Sequence, residues 1–340
     1  MTTNRQFVLV AHPDGLPSES TWRLVETALR EPGEGEILVR SLWLSVDPYM
    51  RGRISAAKGY TKGVALGEVM QGGGVGRVLK SRNPAFKEGD VVESMGFGWQ
   101  EYPVLKAEGT RKLDPSLGPI RHALGVLGMP GLTAYFALLE IGRPQPGETV
   151  VVSAATGAVG QIVGQIAKIK GCRTIAIAGD DAKLEFARKE LGYDAAINHR
   201  TATDLAKAVA EVCPKGVDIF FDNTAGPIHD AVMQNLAMRA RTIVCGTIAI
   251  TSKPGPDIGP RWLRQILINR ARVEGFLVFD YVARYGEGLK QLAAWLGEGK
   301  LVWREDIMAG FENMPKALVR VLKGENFGKQ LVRVVDTGER

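Results

Sequence analysis

The residues best suited to chemistry lie in a glycine-containing turn at 154–160. The turn follows the apolar run Val150–Val152 and reads Ala-Ala-Thr-Gly-Ala-Val-Gly. Gly157 has no side chain to keep the backbone away from a pyrophosphate. Apolar residues then recur at helical spacing over 162–169, so a helix is expected to begin at the turn. A strand, a tight turn and a helix in this order predict a site for dinucleotide phosphates at the positive end of the helix dipole.

A tight turn of this kind also occurs without any ligand, so its surroundings carry the interpretation. The pattern is Ala-x-Gly-x-x-Gly, with Ala155 in the position of the usual first glycine. Gly160 and Gly164 are expected to let the helix pack closely on the strand. Because a buried strand directly precedes the turn and a helix directly follows it, a dinucleotide site is favoured over a bare turn.

Ligands of an open parallel sheet bind beyond the carboxyl ends of its strands, which makes the end of the second strand informative. Asp180 and Asp181 lie there, and Lys183 and Arg200 follow. An acid at this place typically binds the adenine ribose of NAD, whereas a cation favours the extra phosphate of NADP. The acids are also suited to capping the next helix, and the cations to a solvated surface. The local sequence leaves these alternatives open.

Two further strand ends carry residues of interest. Asn223 follows the fourth strand and is suited either to the cofactor's ribose or carboxamide, or to capping its own turn. Cys245 ends the fifth strand, and no histidine neighbours it in the sequence. A small buried apolar residue is therefore favoured over a nucleophile at Cys245.

Composition excludes several classes of protein. The net charge is +6, but the 43 Lys and Arg are mixed along the chain with 37 Asp and Glu, which argues against nucleic-acid binding. The densest basic stretch, 261–272, has its apolar residues on one helical stripe and predicts an amphipathic helix. No apolar run reaches the roughly 18 residues of a membrane span, and the polar N-terminus predicts no signal peptide. We expect a cytoplasmic protein.

The metal-ligating residue types are scattered. The chain has four histidines and an odd number of cysteines, and no His/Cys cluster has the spacing of a zinc site. An odd count without short pairings argues for a reducing compartment and against a disulfide framework. Any redox chemistry is therefore expected to proceed without bound zinc.

Two kinds of scaffold are needed to position these residues. Residues 1–122 contain many short strands separated by turn signals, which predicts a β-barrel or sandwich. Strands alternate with helices over 123–299, which predicts a doubly wound parallel sheet and an α/β fold. Residues 300–340 return to short β segments and are expected to rejoin the first domain. A length of 340 residues suits two domains.

With these elements in order, the chain resembles the medium-chain dehydrogenase/reductase superfamily. Within it, the chain is similar to the zinc-free branch of NADPH-dependent alkenal/one double-bond reductases, which includes leukotriene B4 dehydrogenase/prostaglandin reductase. The resemblance covers nearly the whole chain, and five blocks in the same order carry it. These blocks are Ser45–Arg53, Leu127–Tyr135, Ala154–Gly160, Glu274–Tyr281 and Gly324–Lys329.

The resemblance implies a GroES-like β-barrel catalytic domain, a Rossmann domain, NADPH as cofactor and a homodimer. It places the turn at the dinucleotide phosphates, Lys183 at the adenosine phosphate and Tyr49 at the border of the substrate. It places several other residues around the nicotinamide half. The implied cofactor residues are Gly157, Ala158, Val159, Gly160, Lys183, His199, Arg200, Asn223, Cys245, Gly246, Thr247, Phe276, Leu277, Val278 and Asn326.

The chain departs from the family pattern at three places. Asp180 stands where the family often has Ser, and an acid there would weaken the preference for NADP. His199 stands where a family Tyr touches the extra phosphate, although Arg200 suits phosphate well. Thr251 falls at the position of a family Tyr near the substrate, so a phenol is lost there.

The expected activity is reduction of the carbon–carbon double bond of an α,β-unsaturated aldehyde or ketone by hydride transfer to its β-carbon. An enolate then develops, and hydrogen-bond donors must stabilise it. The candidates are the cofactor ribose hydroxyl, Tyr49 and Thr251. Tyr49 is also suited to simple packing after Pro48. Alternative functions are an NADPH:quinone reductase and a non-catalytic NADPH-binding protein, whereas the missing Cys/His ligands argue against a zinc alcohol dehydrogenase.

Overall fold

A computed structural model describes residues 3–56 and 59–336. Met1, Thr2 and residues 337–340, which the expected domain ranges include, lie outside the described residues. The strands are β1 (Thr3–Leu9), β2 (Trp22–Ala28), β3 (Glu36–Ser45), β4 (Gly74–Ser81), β5 (Val91–Ser94), β6 (Val104–Lys106), β7 (Thr110–Leu113), β8 (Thr149–Ser153), β9 (Arg173–Ala178), β10 (Ala195–Asn198), β11 (Val217–Asp222), β12 (Leu236–Val244), β13 (Arg272–Gly275), β14 (Glu305–Ala309) and β15 (Lys329–Arg333).

The α-helices fall mainly between the later strands. They are α1 (Met50–Arg53), α2 (Met129–Phe136), α3 (Gly160–Ile169), α4 (Asp181–Lys189), α5 (Leu205–Val212), α6 (Gly226–Met233), α7 (Ile248–Thr251), α8 (Leu263–Asn269), α9 (Tyr285–Gly297) and α10 (Met314–Lys323). A π-helical segment follows α2, and short 3₁₀ segments complete the set. These are Ala137–Gly142 (π), Glu19–Thr21, Pro115–Leu117, Ile120–Leu124, Val278–Arg284 and Phe311–Asn313.

The chain divides into two compact units. The first comprises the residues up to Gly125 together with those from Glu305 onward, and the second is Val126–Arg304. In the first unit, β14, β15, β3, β4, β5 and β7 neighbour one another in that order, β6 also pairs with β3, and β1 and β2 form a separate antiparallel ribbon. No strand pairing closes this sheet into a barrel within the described ranges.

The second unit contains one six-stranded parallel sheet in the order β10-β9-β8-β11-β12-β13. Counted from β8, this is the order 3-2-1-4-5-6 of a dinucleotide-binding α/β fold. Successive residues of β8 enter the cores on opposite faces of the sheet: Val150 and Val152 belong to one apolar cluster, and Val151 belongs to the other. Both faces are covered, which explains the unbroken apolar run in the sequence.

The predicted elements of the second unit are present, with shifted boundaries. The sequence pattern predicts a helix over 228–236 and a strand from Arg241, whereas α6 ends at Met233 and β12 begins at Leu236. The register between β11 and β12 shifts between their first two pairs, so Val217 pairs with Leu236 and Ile219 with Arg241. Such an irregularity interrupts the alternation of side chains between the two faces of a strand, which is the pattern that predicts a strand from sequence.

Candidate functional site

The N-terminus of α3 offers backbone donors. Within the described part of the chain, the N–H groups of Ala158, Val159 and Gly160 have no acceptor, and no side chain caps the helix. The next N–H group, that of Gln161, donates to the carbonyl of Gly157 over 3.1 Å. Unsatisfied N–H groups at the positive end of a ten-residue helix form a site for an anion.

The glycines of the turn differ in what surrounds them. A Cβ atom on Gly160 would lie 2.4 Å from the carbonyl oxygen of Ala154, whereas the nearest atom to a Cβ on Gly157 would lie at 3.2 Å. The conformation of the turn therefore leaves no room for a side chain at Gly160. At Gly157 the absence of a side chain leaves the backbone of the turn accessible to a ligand. Gly164 was predicted to approach the strand, but its near neighbour is the ring of Tyr193, which would lie 2.1 Å from a Cβ added at Gly164.

Both acids after β9 serve the local structure. Asp180 is the N-cap of α4, and its Oδ1 accepts the backbone N–H of Lys183 over 3.1 Å. Asp181 Oδ1 accepts a hydrogen bond from Asn198 Nδ2 over 2.6 Å. The helix-capping alternative is therefore the one that the structure shows for Asp180.

Cationic and imidazole side chains gather at the same strand end. β10 pairs with β9. Gly179 directly follows β9, and His199 and Arg200 directly follow β10, so the two segments leave the sheet side by side. A Cβ atom on Gly179 would lie 2.8 Å from both His199 Nε2 and Arg200 Nε. Burial lowers the pKa of His199, and the charge of Arg200 lowers it further. Lys183 lies in the first turn of α4, directly after the same strand end, and both Lys183 and Arg200 are cations suited to a phosphate.

Asn223 joins two adjacent strand ends. Its Nδ2 donates to the carbonyl of Ser153 over 2.8 Å, and its backbone N–H donates to Ser153 Oγ over 2.8 Å. The turn is instead capped by Asp222, whose Oδ1 accepts the N–H groups of Thr224 and Ala225, each over 2.9 Å. The amide of Asn223 thus ties β11 to β8 at the edge where ligands of such sheets bind.

The sequence did not single out two residues near Asn223, namely Asp222 and His229. Asp222 is fully buried and accepts a hydrogen bond from Ser153 Oγ over 3.1 Å. His229, in the first turn of α6, lies with Nδ1 2.9 Å from Asp222 Oδ2. A lone Asp at the end of a buried strand is the signal that would have drawn attention to this pair.

The end of β12 packs onto this cluster. The N–H groups of Cys245 and Gly246 both donate to the carbonyl of Asp222, over 2.8 and 3.1 Å. A Cβ on Gly246 would lie 2.7 Å from the carbonyl oxygen of Asn223. Burial, with a smaller contribution from Asp222, raises the pKa of Cys245 to about 12. Cys245 is therefore a neutral thiol in a tight turn.

Thr247 and Thr251 belong to one short helix. Thr247 is the N-cap of α7, and Thr251 Oγ1 donates to the carbonyl of Thr247 over 2.6 Å. The two hydroxyl oxygens are 2.9 Å apart. Because the Thr251 proton is engaged by a backbone carbonyl, the hydroxyl must turn away from that carbonyl before it can donate to any substrate.

The segment after β13 carries the three apolar cofactor candidates. The N–H of Phe276 donates to the carbonyl of Val244 over 3.1 Å, and its ring stacks on Tyr281 with centroids 5.4 Å apart. Phe276 and Val278 are buried, whereas Leu277 between them is exposed.

Tyr49 and Asn326 belong to the first unit. Asn326 Nδ2 donates to the carbonyl of Gly328 over 2.8 Å. Tyr49 precedes α1, and burial together with the negative charge of Asp47 raises the pKa of its phenol. Asp47 in turn accepts a hydrogen bond from Lys329 Nζ over 2.6 Å, and both members of this pair are buried. Tyr49 therefore retains its proton and remains a hydrogen-bond donor.

These features define a class of protein. A parallel sheet in the 3-2-1-4-5-6 order, with a donor-rich turn after its first strand and cations after its second and third, is a Rossmann-type dinucleotide-binding unit. Within residues 3–56 and 59–336, no three His, Cys, Asp or Glu side chains gather in a metal-binding arrangement. None of the helices in those ranges is both long and apolar enough to cross a membrane.

Comparison with known proteins gives the family. A family model described as the N-terminal domain of oxidoreductase matches residues 5–113, and one described as zinc-binding dehydrogenase matches 158–294. The NADPH-dependent curcumin reductase of Escherichia coli (strain K12) is 44% identical over 337 residues, which cover 97% of each chain. The 2-alkenal reductase (NADP(+)-dependent) of Nicotiana tabacum is 40% identical over 337 residues, which cover 98% of this chain and 98% of the relative.

A solved structure agrees with these relatives. The crystal structure of CurA in complex with NADPH from Vibrio vulnificus matches with a TM-score of 0.92 and 44% identity, covering 98% of this chain and 99% of that chain. The protein belongs to the medium-chain dehydrogenase/reductase superfamily, and its named relatives include NADPH-dependent reductases.

Proposed function

We propose that this protein reduces the carbon–carbon double bond of α,β-unsaturated aldehydes and ketones with NADPH. The relatives named for curcumin and 2-alkenal reduction support this activity. The structural observation that carries the use of NADPH is the row of unsatisfied N–H groups at Ala158, Val159 and Gly160. We assign the second unit to the dinucleotide and the first unit to the substrate.

The residues present fit the cofactor. Gly157 has no side chain, and a Cβ added there would meet only the Ala154 carbonyl. The space at Gly157 leaves room for a pyrophosphate to accept hydrogen bonds from the N–H groups at the start of α3. At the adenosine end, Asp180 is engaged as a helix cap and Asp181 by Asn198. Lys183 and Arg200 supply the positive charge, and this favours NADPH over NADH.

At the nicotinamide end of the cofactor, the residues of the chain would position the cofactor and the substrate and donate hydrogen bonds. When bound, NADPH supplies the hydride that adds to the β-carbon of the conjugated substrate. Asn223, Gly246 and Phe276–Val278 would hold the nicotinamide half at the strand ends that their hydrogen bonds fix. Tyr49, kept protonated by its raised pKa, donates a hydrogen bond to the carbonyl oxygen on which negative charge develops. Thr251 is the second candidate donor, and Asn326 is a further candidate for the nicotinamide half.

The experiment compares Gly157→Ala with the parent and with Gly286→Ala, a control in α9 where an added Cβ would meet no atom within 4 Å. Binding is followed by NADPH fluorescence and turnover by NADPH oxidation with an enal, an enone and a quinone. We expect Gly157→Ala to fold normally, to bind NADPH at least tenfold more weakly, and the control to behave like the parent. Unchanged NADPH affinity in Gly157→Ala would contradict the phosphate site.

The substrate panel separates the alternatives. A parent protein that turns over the quinone faster than either unsaturated carbonyl compound would be a quinone reductase. Tight NADPH binding without oxidation by any of the three substrates would identify a non-catalytic NADPH-binding protein.

We further propose a cytoplasmic homodimer. Among the described strands, β13 pairs only with β12, and it is exposed along its length, which leaves one edge of its backbone available to a second copy. Leu263 and Leu267 of α8 are about three-quarters exposed and add an apolar surface in the same unit. Light scattering should give twice the chain mass, and Val273→Lys should give the mass of one chain.

The three cysteines, none of which forms a disulfide in the described residues, support a reducing compartment such as the cytoplasm.

A further inference from the structure

An open cavity of about 360 Å³ in the second unit is lined mainly by arginines. It lies at the edge of the sheet opposite the dinucleotide site, because Glu148 directly precedes β8 and Arg272 is the first residue of β13. Its charged lining consists of Arg143, Arg239, Arg241, Arg270, Arg272 and Glu148.

Two of the five arginines have carboxylate partners. Glu148, the acid of the lining, accepts two hydrogen bonds from Arg241, over 2.8 and 2.6 Å. Arg272 Nε lies 3.6 Å from Glu274 Oε2, in an ion pair whose members are both about half exposed. The positive charge of the cavity therefore comes mainly from the other three arginines.

These three arginines have no carboxylate within ion-pair distance among the described residues. Arg143 and Arg270 donate to backbone carbonyls, over 2.8 and 3.3 Å, which leaves their charge uncompensated. Arg239 adds a third positive charge to the lining. Arginine does not lose its proton in proteins, so the repulsion among them persists at any ordinary pH.

The same three arginines have an unusual backbone. Among the described residues, five that are not glycine have a positive φ, and three of the five are Arg143 (47°), Arg239 (61°) and Arg270 (49°). Glycine adopts this left-handed region without the cost that a Cβ imposes. All three are exposed, so packing of the side chain does not account for arginine at these positions.

We propose that this cavity binds a small, multiply charged phosphate-bearing anion. Guanidinium groups bind phosphate oxygens in pairs through a planar fork. A cavity of this volume suits a small ligand, and three uncompensated positive charges suit an oligophosphate better than a single carboxylate. The proposal does not depend on the reductase activity, because the cavity lies at the other edge of the sheet.

The left-handed arginines allow a clean test. In Arg239→Gly/Arg270→Gly, two charges are lost while the backbone gains the residue that suits its conformation. The control is Arg23→Ala/Arg188→Ala, which removes two exposed arginines outside the cavity, on β2 and α4. Sodium tripolyphosphate is titrated calorimetrically into each protein saturated with NADPH, so that the dinucleotide site is occupied, at constant ionic strength.

We expect the parent and the control to bind one tripolyphosphate per chain with equal affinity, and the glycine variant to bind at least tenfold more weakly. The glycine variant should melt at the same temperature as the parent or higher in the absence of the anion, which shows that its loss of binding is not a loss of folding. No saturable binding by the parent, or equal binding by the glycine variant, would overturn the proposal.

Discussion

Tyr193 donates a hydrogen bond of 2.8 Å to the carbonyl of Gly160, the first residue of α3. Its ring lies where a side chain at Gly164 would project. Tyr193 precedes β10, so this contact couples the helix at the proposed phosphate site to the part of the chain that carries His199 and Arg200. One buried aromatic residue therefore contacts α3 and directly leads into the segment that ends in His199 and Arg200.

Gly164→Ala should disrupt this coupling. The new Cβ would lie 2.1 Å from Tyr193 Cζ, so either α3 or the ring must move, and we expect a loss of about 1–3 kcal/mol in the free energy of unfolding. NADPH affinity should fall as well. Urea unfolding with Gly297→Ala as the control, at a helix glycine with open space around it, checks the effect. Equal stability of the two variants would show that the packing is looser than the structure indicates.

Asp180→Asn should raise the preference for NADPH. Asparagine caps helices about as well as aspartate, so the bond to the backbone N–H of Lys183 is kept while the negative charge is lost. Removing a charge about 4 Å from a phosphate in water is worth roughly 1 kcal/mol, which corresponds to about fivefold. The measurement is the ratio of kcat/KM for NADPH and NADH. A ratio equal to that of the parent would place Asp180 away from the adenosine phosphate.

Tyr49→Phe tests the proposed donor. If the phenol stabilises developing charge on the substrate oxygen, kcat should fall by about tenfold or more, with NADPH affinity unchanged. Burial keeps the phenol protonated by raising its pKa, so the parent should show no activity loss from Tyr49 ionisation as the pH rises to about 10, the ordinary tyrosine value. Stopped-flow turnover with an enal measures the first effect. An unchanged kcat would remove Tyr49 from the mechanism and leave Thr251 as the remaining side-chain candidate.

Lys329→Met should destabilise the first unit. Asp47 is buried and would lose its Lys329 partner while keeping the bond from Ser45. Breaking a buried pair on one side typically costs about 3–5 kcal/mol. The double variant Lys329→Met/Asp47→Leu should recover much of that stability, because no charge is left unpaired. Thermal unfolding of both variants decides the point, and a double variant as unstable as the single one would show that shape outweighs charge here.

The three cysteines should be nearly inert in the folded protein. Burial raises the pKa of Cys172 and Cys213 to about 11 and that of Cys245 to about 12. At a pH of about 8 the thiolate fraction is then about one thousandth or less. Iodoacetamide at that pH should label the native chain only slowly, about tenfold faster for each added pH unit, and should label all three cysteines after unfolding in urea. Rapid labelling of the native chain would show a more polar environment than the structure has.

The sequence alone determined the Rossmann unit and its glycine turn. Strands and helices that repeat over a long stretch of chain carry strong periodic signals, and the turn at 154–160 lies between two of them. The family blocks then predicted NADPH and an enone substrate, and comparison with known proteins supports both. Boundaries were less well predicted where the register shifts, as at Leu236, because a bulge breaks the local period.

The tertiary structure decided the roles of side chains whose partners are distant in the sequence. Asp180 had two possible roles in the sequence, and the bond to the N–H of Lys183 shows the capping one. The role of Asn223 at the cofactor stays a prediction, and the structure adds a hydrogen bond from its amide to Ser153, on a strand far away in the sequence. The Asp222–His229 contact has only the Asp at the end of β11 as a local signal, and the arginine cavity has no local pattern. Each depends on residues from separate strands and helices, and only the folded sheet places those residues side by side.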